Sequence, residues 1–191
     1  MKARATIPQQ VQIINKALAS YIEDDADNKC YNVGLCWHFK NAIEDITKID
    51  CDYDSIKLYI PLFTRQNAIT YANASDESYW WNKTNSYHRI YFCKWMLKTM
   101  KEQMINDFIT NILYKKYHFV YVEKFYSTEF NKYIIVPHPL SEVKSDVIKS
   151  LIRFHNKYKR AFGDDCLVIM KESEYVLDKN RIPVINEDKI K

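Results

Sequence analysis

Apolar residues recur along this chain at two periods, and the change between them divides it. Over residues 8–23, Val11, Ile14, Leu18, Tyr21 and Ile22 fall on one helical face. Thr6 stands where a cap belongs, and Pro8 fits a first turn, where no internal amide bond is lost. The acidic run after Ile22 reads as a solvated loop; EF-hand spacing and its glycine are missing. A second helix is predicted over 33–49, with Leu35, Phe39, Ala42, Ile43 and Ile46 on its buried face. The stretch 56–63 is ambiguous: Ile56, Leu58 and Ile60 alternate as in a strand, Pro61 restricts a strand to an edge, and a short helix can follow the proline. The longest helix is predicted over 87–116, where Phe92, Met96, Met100, Met104, Phe108 and Ile112 step by four. Unbroken, it would be about 45 Å long.

The period then shortens. Residues 118–126 and 132–137 are rich in β-branched and aromatic side chains around a polar turn, the pattern of an antiparallel hairpin. A helix over 142–160 is expected next, capped by Ser141 and ended by Gly163, with a third strand at 165–170. These elements predict an α+β fold: an N-terminal helical lobe of three main helices packed on a smaller β-β-α-β unit. The boundaries expected are 1–117 for the helical lobe, 118–175 for the second lobe, and 176–191 for a loosely attached tail.

Composition changes this picture little. At 191 residues, with 47% hydrophobic and 27% charged positions, the chain can bury a sizeable core. Lysine, isoleucine, asparagine and tyrosine are favoured over glycine and arginine, a bias of AT-rich codons, so abundant lysine alone is weak evidence for a basic ligand. The net charge of +4 is modest for a dedicated nucleic-acid domain. Cys30, Cys36, Cys51, Cys93 and Cys166 are odd in number and widely spaced, which argues against a disulfide framework or zinc ribbon and for a reducing compartment. The start lacks an apolar signal-peptide core, and no apolar run is long enough to span a bilayer. A cytoplasmic protein without membrane attachment is the expectation. Two glycines are too few for a P-loop, a Rossmann turn or a kinase glycine loop, and neither zinc-protease nor deaminase spacing occurs.

Three constellations remain. The string "GLCWHF" puts Cys36 at the start of a helix, where partial positive charge favours a thiolate. It resembles the active-site strings of papain-like proteases and transglutaminases, so a thiol hydrolase or acyl transferase with Cys36 as nucleophile is one reading. His118 and His138, at the outer ends of the hairpin, are then the candidate bases. The competing reading makes Cys36 a small packing residue. A metal site on the same three residues has no spacing to support it. The second constellation is the aromatic knot containing Trp80 and Trp81 with Arg89 beyond it, either a base-stacking site or a lid on the core. The third is a basic stripe, Lys149, Arg153, Lys157 and Arg160, stepping by four, four and three along the predicted 142–160 helix.

Taken together, "GLCWHF", "YWWN", Arg89 and "FCKWML" resemble a pattern found in small uncharacterised proteins of tailed bacteriophages: a Gly-Leu-Cys helix start, a Tyr-Trp-Trp knot and an Arg-led helix. The pattern covers about residues 30–100. It carries no established activity; it implies an accessory role in the cytoplasm of an infected bacterium. The function expected on these grounds is non-catalytic binding of a macromolecular partner, a host protein or a nucleic acid, without cofactor or metal. The surface expected to do it is Lys149, Arg153, Lys157 and Arg160 with Trp80, Trp81 and Arg89.

Overall fold

The computed structural model describes residues 5–27, 34–72, 86–128, 131–138, 144–163, 167–168, 175–177 and 183–185. The fold is α+β, with helices leading, an antiparallel hairpin and a C-terminal helix. The chain forms two compact units, Met1–Met100 and Lys101–Lys191.

In the first unit, α1 (Ile7–Ala26) opens on a capping box. Thr6 Oγ1 accepts from the Gln9 amide at 3.4 Å, and Gln9 Oε1 accepts from the Thr6 amide at 2.9 Å. The helix does not end at residue 23 as expected; Asp24, Asp25 and Ala26 continue it. A tertiary contact gives the reason, since Asp24 meets His38 on α2 (Trp37–Thr47). An ion pair between Lys16 and Asp45 also ties α1 to α2.

The ambiguous stretch is helical. A 3₁₀ turn over Tyr53–Ser55 runs into α3 (Ile56–Tyr59), and α4 (Arg65–Ala72) follows Pro61. Side-chain caps decide this against the alternation. Asp52 Oδ1 accepts from the Ser55 amide at 2.7 Å, and Thr64 Oγ1 accepts from the Asn67 amide at 3.1 Å. Ile56 and Ile60 are buried while Leu58 is exposed, as a helical turn requires; a strand would put all three on one face.

The first part of α5 (Ser86–Phe108) completes this unit. A continuous series of aromatic rings runs through the core: Tyr21 to Phe39 at 6.1 Å, Phe39 to Phe63 at 4.6 Å, Phe63 to Phe92 at 5.5 Å, and Phe92 to Trp95 at 5.8 Å. Tyr71 of α4 then stacks on Trp95 at 3.9 Å with planes 16° apart. Rings from α1, α2, α4, α5 and the turn after Pro61 thus form one packed column, each pair adding edge or stacking attraction to its burial.

The second unit begins inside α5. Beyond Phe108 the hydrogen bonding widens to a π-helix over Ile109–Tyr114, and the Lys115 amide reaches back to the Thr110 carbonyl at 3.1 Å. The expected α-helix to residue 116 does not continue because of its own stripe. A row stepping by four drifts about 40° per step around a 3.6-residue helix. The wider turn leaves Ile109 and Leu113 buried at the end of the helix.

The hairpin is as expected in kind: β1 (Tyr121–Ser127) pairs antiparallel with β2 (Lys132–His138), Tyr121 lying opposite His138 and Ser127 opposite Lys132. The short β3 (Leu167–Val168) pairs parallel to β2, with α6 (Ser145–Phe162) as the crossover between them. Ser141, the cap expected for α6, lies outside the described residues, and Lys144 occupies the cap position without a side-chain bond. Gly163 ends α6 in the left-handed conformation at φ 66°, with open space where a Cβ would sit. In the segment expected to be a tail, β4 (Tyr175–Leu177) and β5 (Pro183–Ile185) pair antiparallel.

Val122, Tyr133 and Ile135, from one face of the hairpin, pack with Phe108 and with Val147, Leu151, Phe154 and Tyr158 of α6. Phe108 stacks on Phe154 at 4.0 Å. The Tyr117 hydroxyl fastens the start of α6, reaching the Asp146 carbonyl at 3.2 Å and Ser150 Oγ at 2.8 Å.

Candidate nucleic-acid interface

The chemistry proposed for Cys36 meets an unsuitable environment. Cys36 precedes α2, but it is fully buried. Burial pushes its thiol well up, and the negative charge of Asp54 and the neighbouring Cys51 push it further. A nucleophilic cysteine needs the opposite, a thiolate favoured near neutral pH beside a base. His38, two residues on, turns to Asp24 and sets its ring edge-on to Tyr21 at 4.8 Å. His138 Nε2 meets Glu123 Oε1 at 2.9 Å, and its ring stacks on Tyr121. His118 precedes β1 in a left-handed turn at φ 54° and is exposed. The hairpin register therefore sets Tyr121, not His118, against His138. Among the described residues, no group of three or more His, Cys, Asp or Glu side chains is arranged to hold a metal.

A labelling experiment checks this environment. Iodoacetamide at neutral pH is expected to modify Cys36 and Cys93, both buried with thiols pushed up, on the order of 100-fold or more slowly in the native chain than in denaturant. Rapid native labelling of Cys36 would contradict the buried, protonated thiol.

What sequence reasoning missed is the polar cluster beside this cysteine. Tyr21 donates its hydroxyl to the Leu35 carbonyl, packs against His38, and lies under Arg89, whose guanidinium carbon is 5.8 Å from the ring centroid. Burial raises the Tyr21 phenol well above its usual range; Cys93 adds to the rise and Arg89 opposes it. The available signal was the i, i+3 spacing of Tyr21 and Asp24, which puts both on one side of α1. Arg89, expected on a binding surface, is fully buried. Its position on α5 turns it inward onto Tyr21, which corrects that expectation. Trp80 and Trp81 lie outside the described residues.

The basic stripe is where the structure keeps charge in water. Lys149, Arg153, Lys157 and Arg160 are all exposed on α6, while Val147, Leu151, Phe154, Tyr158 and Ala161 on its other side are buried. Among the described residues, none of the four forms an ion pair. The helix carries five basic residues against the single acid Asp146. That excess equals the +4 net charge of the whole chain, so the charges outside α6 sum to zero. From Lys149 to Arg160 the stripe covers roughly 16 Å of helix.

Fold and site together define an α+β protein with a cation row on a packed helix. The chain matches no protein-family model, no curated protein and no solved structure. Among the described residues, no helix is long and apolar enough to cross a membrane.

Proposed function

We propose that this chain is a non-catalytic binding protein that uses α6 to hold a nucleic-acid phosphate backbone. The observation that carries the reading is the exposed row Lys149, Arg153, Lys157 and Arg160, which holds a charge excess equal to that of the entire chain. A row of exposed cations gains free energy on a nucleic-acid backbone, because binding releases that partner's condensed counterions. A lipid surface fits less well. A helix that lies in a bilayer interface buries its apolar face in lipid, and the apolar face of α6 is already in the core of its own unit. The resemblance in residues 30–100 extends the same proposal: an accessory protein of a tailed bacteriophage, acting in the host cytoplasm.

Fluorescence anisotropy with a labelled mixed-sequence DNA duplex tests it. Four phosphate contacts predict a slope of log affinity on log salt of about −3.5. Between about 50 and 200 mM salt, affinity should fall roughly 100-fold. Absence of binding, or a flat salt response, would exclude the phosphate backbone and leave a protein partner.

A further inference from the structure

We propose a second binding surface at the head of α5, which stacks the bases of single-stranded nucleic acid on Tyr87 and Tyr91 and meets the strand's phosphates with Lys94 and Lys98. It rests on the nucleic-acid reading above and narrows it to a strand with unpaired bases.

The four residues fall at i, i+4, i+7 and i+11 of one helix, which puts them on a single face. All four are exposed. Tyr87 is 67% and Tyr91 46% exposed, the opposite of what aromatic side chains contributing to a core show. Their rings are near-parallel, 19° apart, with centroids separated by 6.5 Å. Two near-parallel exposed rings one helical turn apart offer neighbouring π-surfaces on which successive bases can stack.

The platform is continuous with the core beneath it. Tyr91 adjoins Tyr71 at 6.4 Å, Tyr71 stacks on Trp95 at 3.9 Å, and Trp95 stacks on buried Phe92, which leads into the aromatic column of the core.

Charge selects the occupant. Residues 86–100 contain no Asp or Glu, and neither does α4. Lys94 and Lys98 follow the two tyrosines along the same face, and among the described residues neither forms an ion pair. Two rings followed by two cations, on a stretch without acids, match the recurring chemistry of single-strand recognition: stacking on π-faces plus electrostatic tracking of the backbone. A duplex hides its base faces within the stack and gives these rings nothing to cover.

The test compares an oligo-thymidylate strand with a mixed-sequence duplex, using the full chain. The Tyr87→Ala/Tyr91→Ala pair is expected to lower single-strand affinity roughly 30-fold or more, the loss of two ring–base stacks. Duplex affinity should be unchanged. The Tyr87→Phe/Tyr91→Phe pair, which keeps both rings, should bind the strand like the parent chain. Unchanged single-strand affinity in the alanine pair, alongside normal duplex binding, overturns this surface and leaves the α6 reading standing. Equal losses in the phenylalanine and alanine pairs overturn stacking as the mechanism. A parent chain that sediments as a dimer, with an alanine pair that sediments as a monomer, makes the face a self-association surface and likewise overturns the inference. If duplex binding fails in the parent chain while the strand still binds and responds to the tyrosines, α6 is the part that is wrong.

Discussion

Replacing Phe63 by alanine is expected to destabilise the first unit by about 3–5 kcal/mol, the range for removing a large buried aromatic. Phe63 is 1% exposed and touches Phe39 at 4.6 Å on one side and Phe92 at 5.5 Å on the other. It is the link between the α1–α2 half of the aromatic column and the α5 half. Its backbone is held separately, the Phe63 amide bonding the Ile60 carbonyl at 2.8 Å. The turn therefore holds its place and does not collapse into the vacated volume, and partial relaxation leaves a cavity whose cost adds to the lost transfer energy. For a unit of this size the melting temperature should fall by roughly 10–30 °C. Differential scanning calorimetry of the full chain measures it. A loss below about 1 kcal/mol would mean that the ring column is not the core of this unit.

Replacing Lys149, Arg153, Lys157 and Arg160 together by alanine is expected to reduce duplex affinity roughly 100-fold at low salt and to flatten the salt slope by about 3.5. All four side chains are exposed, and alanine has the highest helix propensity of any residue, so α6 should keep its helicity by circular dichroism. Its anchoring to the core is untouched, since Leu151, Phe154 and Tyr158 provide it. Loss of slope distinguishes lost phosphate contacts from a general loss of fold. Affinity and slope both unchanged would remove α6 from the binding surface.

Some of this architecture was legible from residue order. Thr6 and Pro8 marked the start of α1, and Gly163 marked the end of α6, because caps are local devices that act within a few residues. The hairpin could be read because alternation at period two is a property of neighbouring positions. The basic stripe was equally plain, since long charged side chains seldom point into a core without partners.

Other features depended on distant parts of the chain. Ile56, Leu58 and Ile60 alternate as in a strand, and only the packed fold shows Ile56 and Ile60 buried with Leu58 exposed, the helical outcome. The acidic run stayed helical because His38 meets Asp24, a contact between two helices. The 87–116 segment was read as a core helix from its Phe and Met row. The same helix also shows Tyr87, Tyr91, Lys94 and Lys98 to solvent on another face. Arg89 stands two residues from both Tyr87 and Tyr91, and two residues along a helix turn a side chain by about 200°, which takes it inward onto Tyr21.

The sequence by itself determined the four longest helices, the hairpin, the α+β class, and the side of α6 that stays wet. Each of these follows from periodicity, capping or charge, which act over one or two turns. Tertiary structure alone decided that Cys36 is sealed and protonated, that Arg89 faces Tyr21, and that an aromatic column joins the core to the exposed tyrosines of α5. Those outcomes depend on which surfaces meet across the fold. Burial, which sets the state of a thiol or a guanidinium, is a property of the packed whole and not of the neighbouring residues.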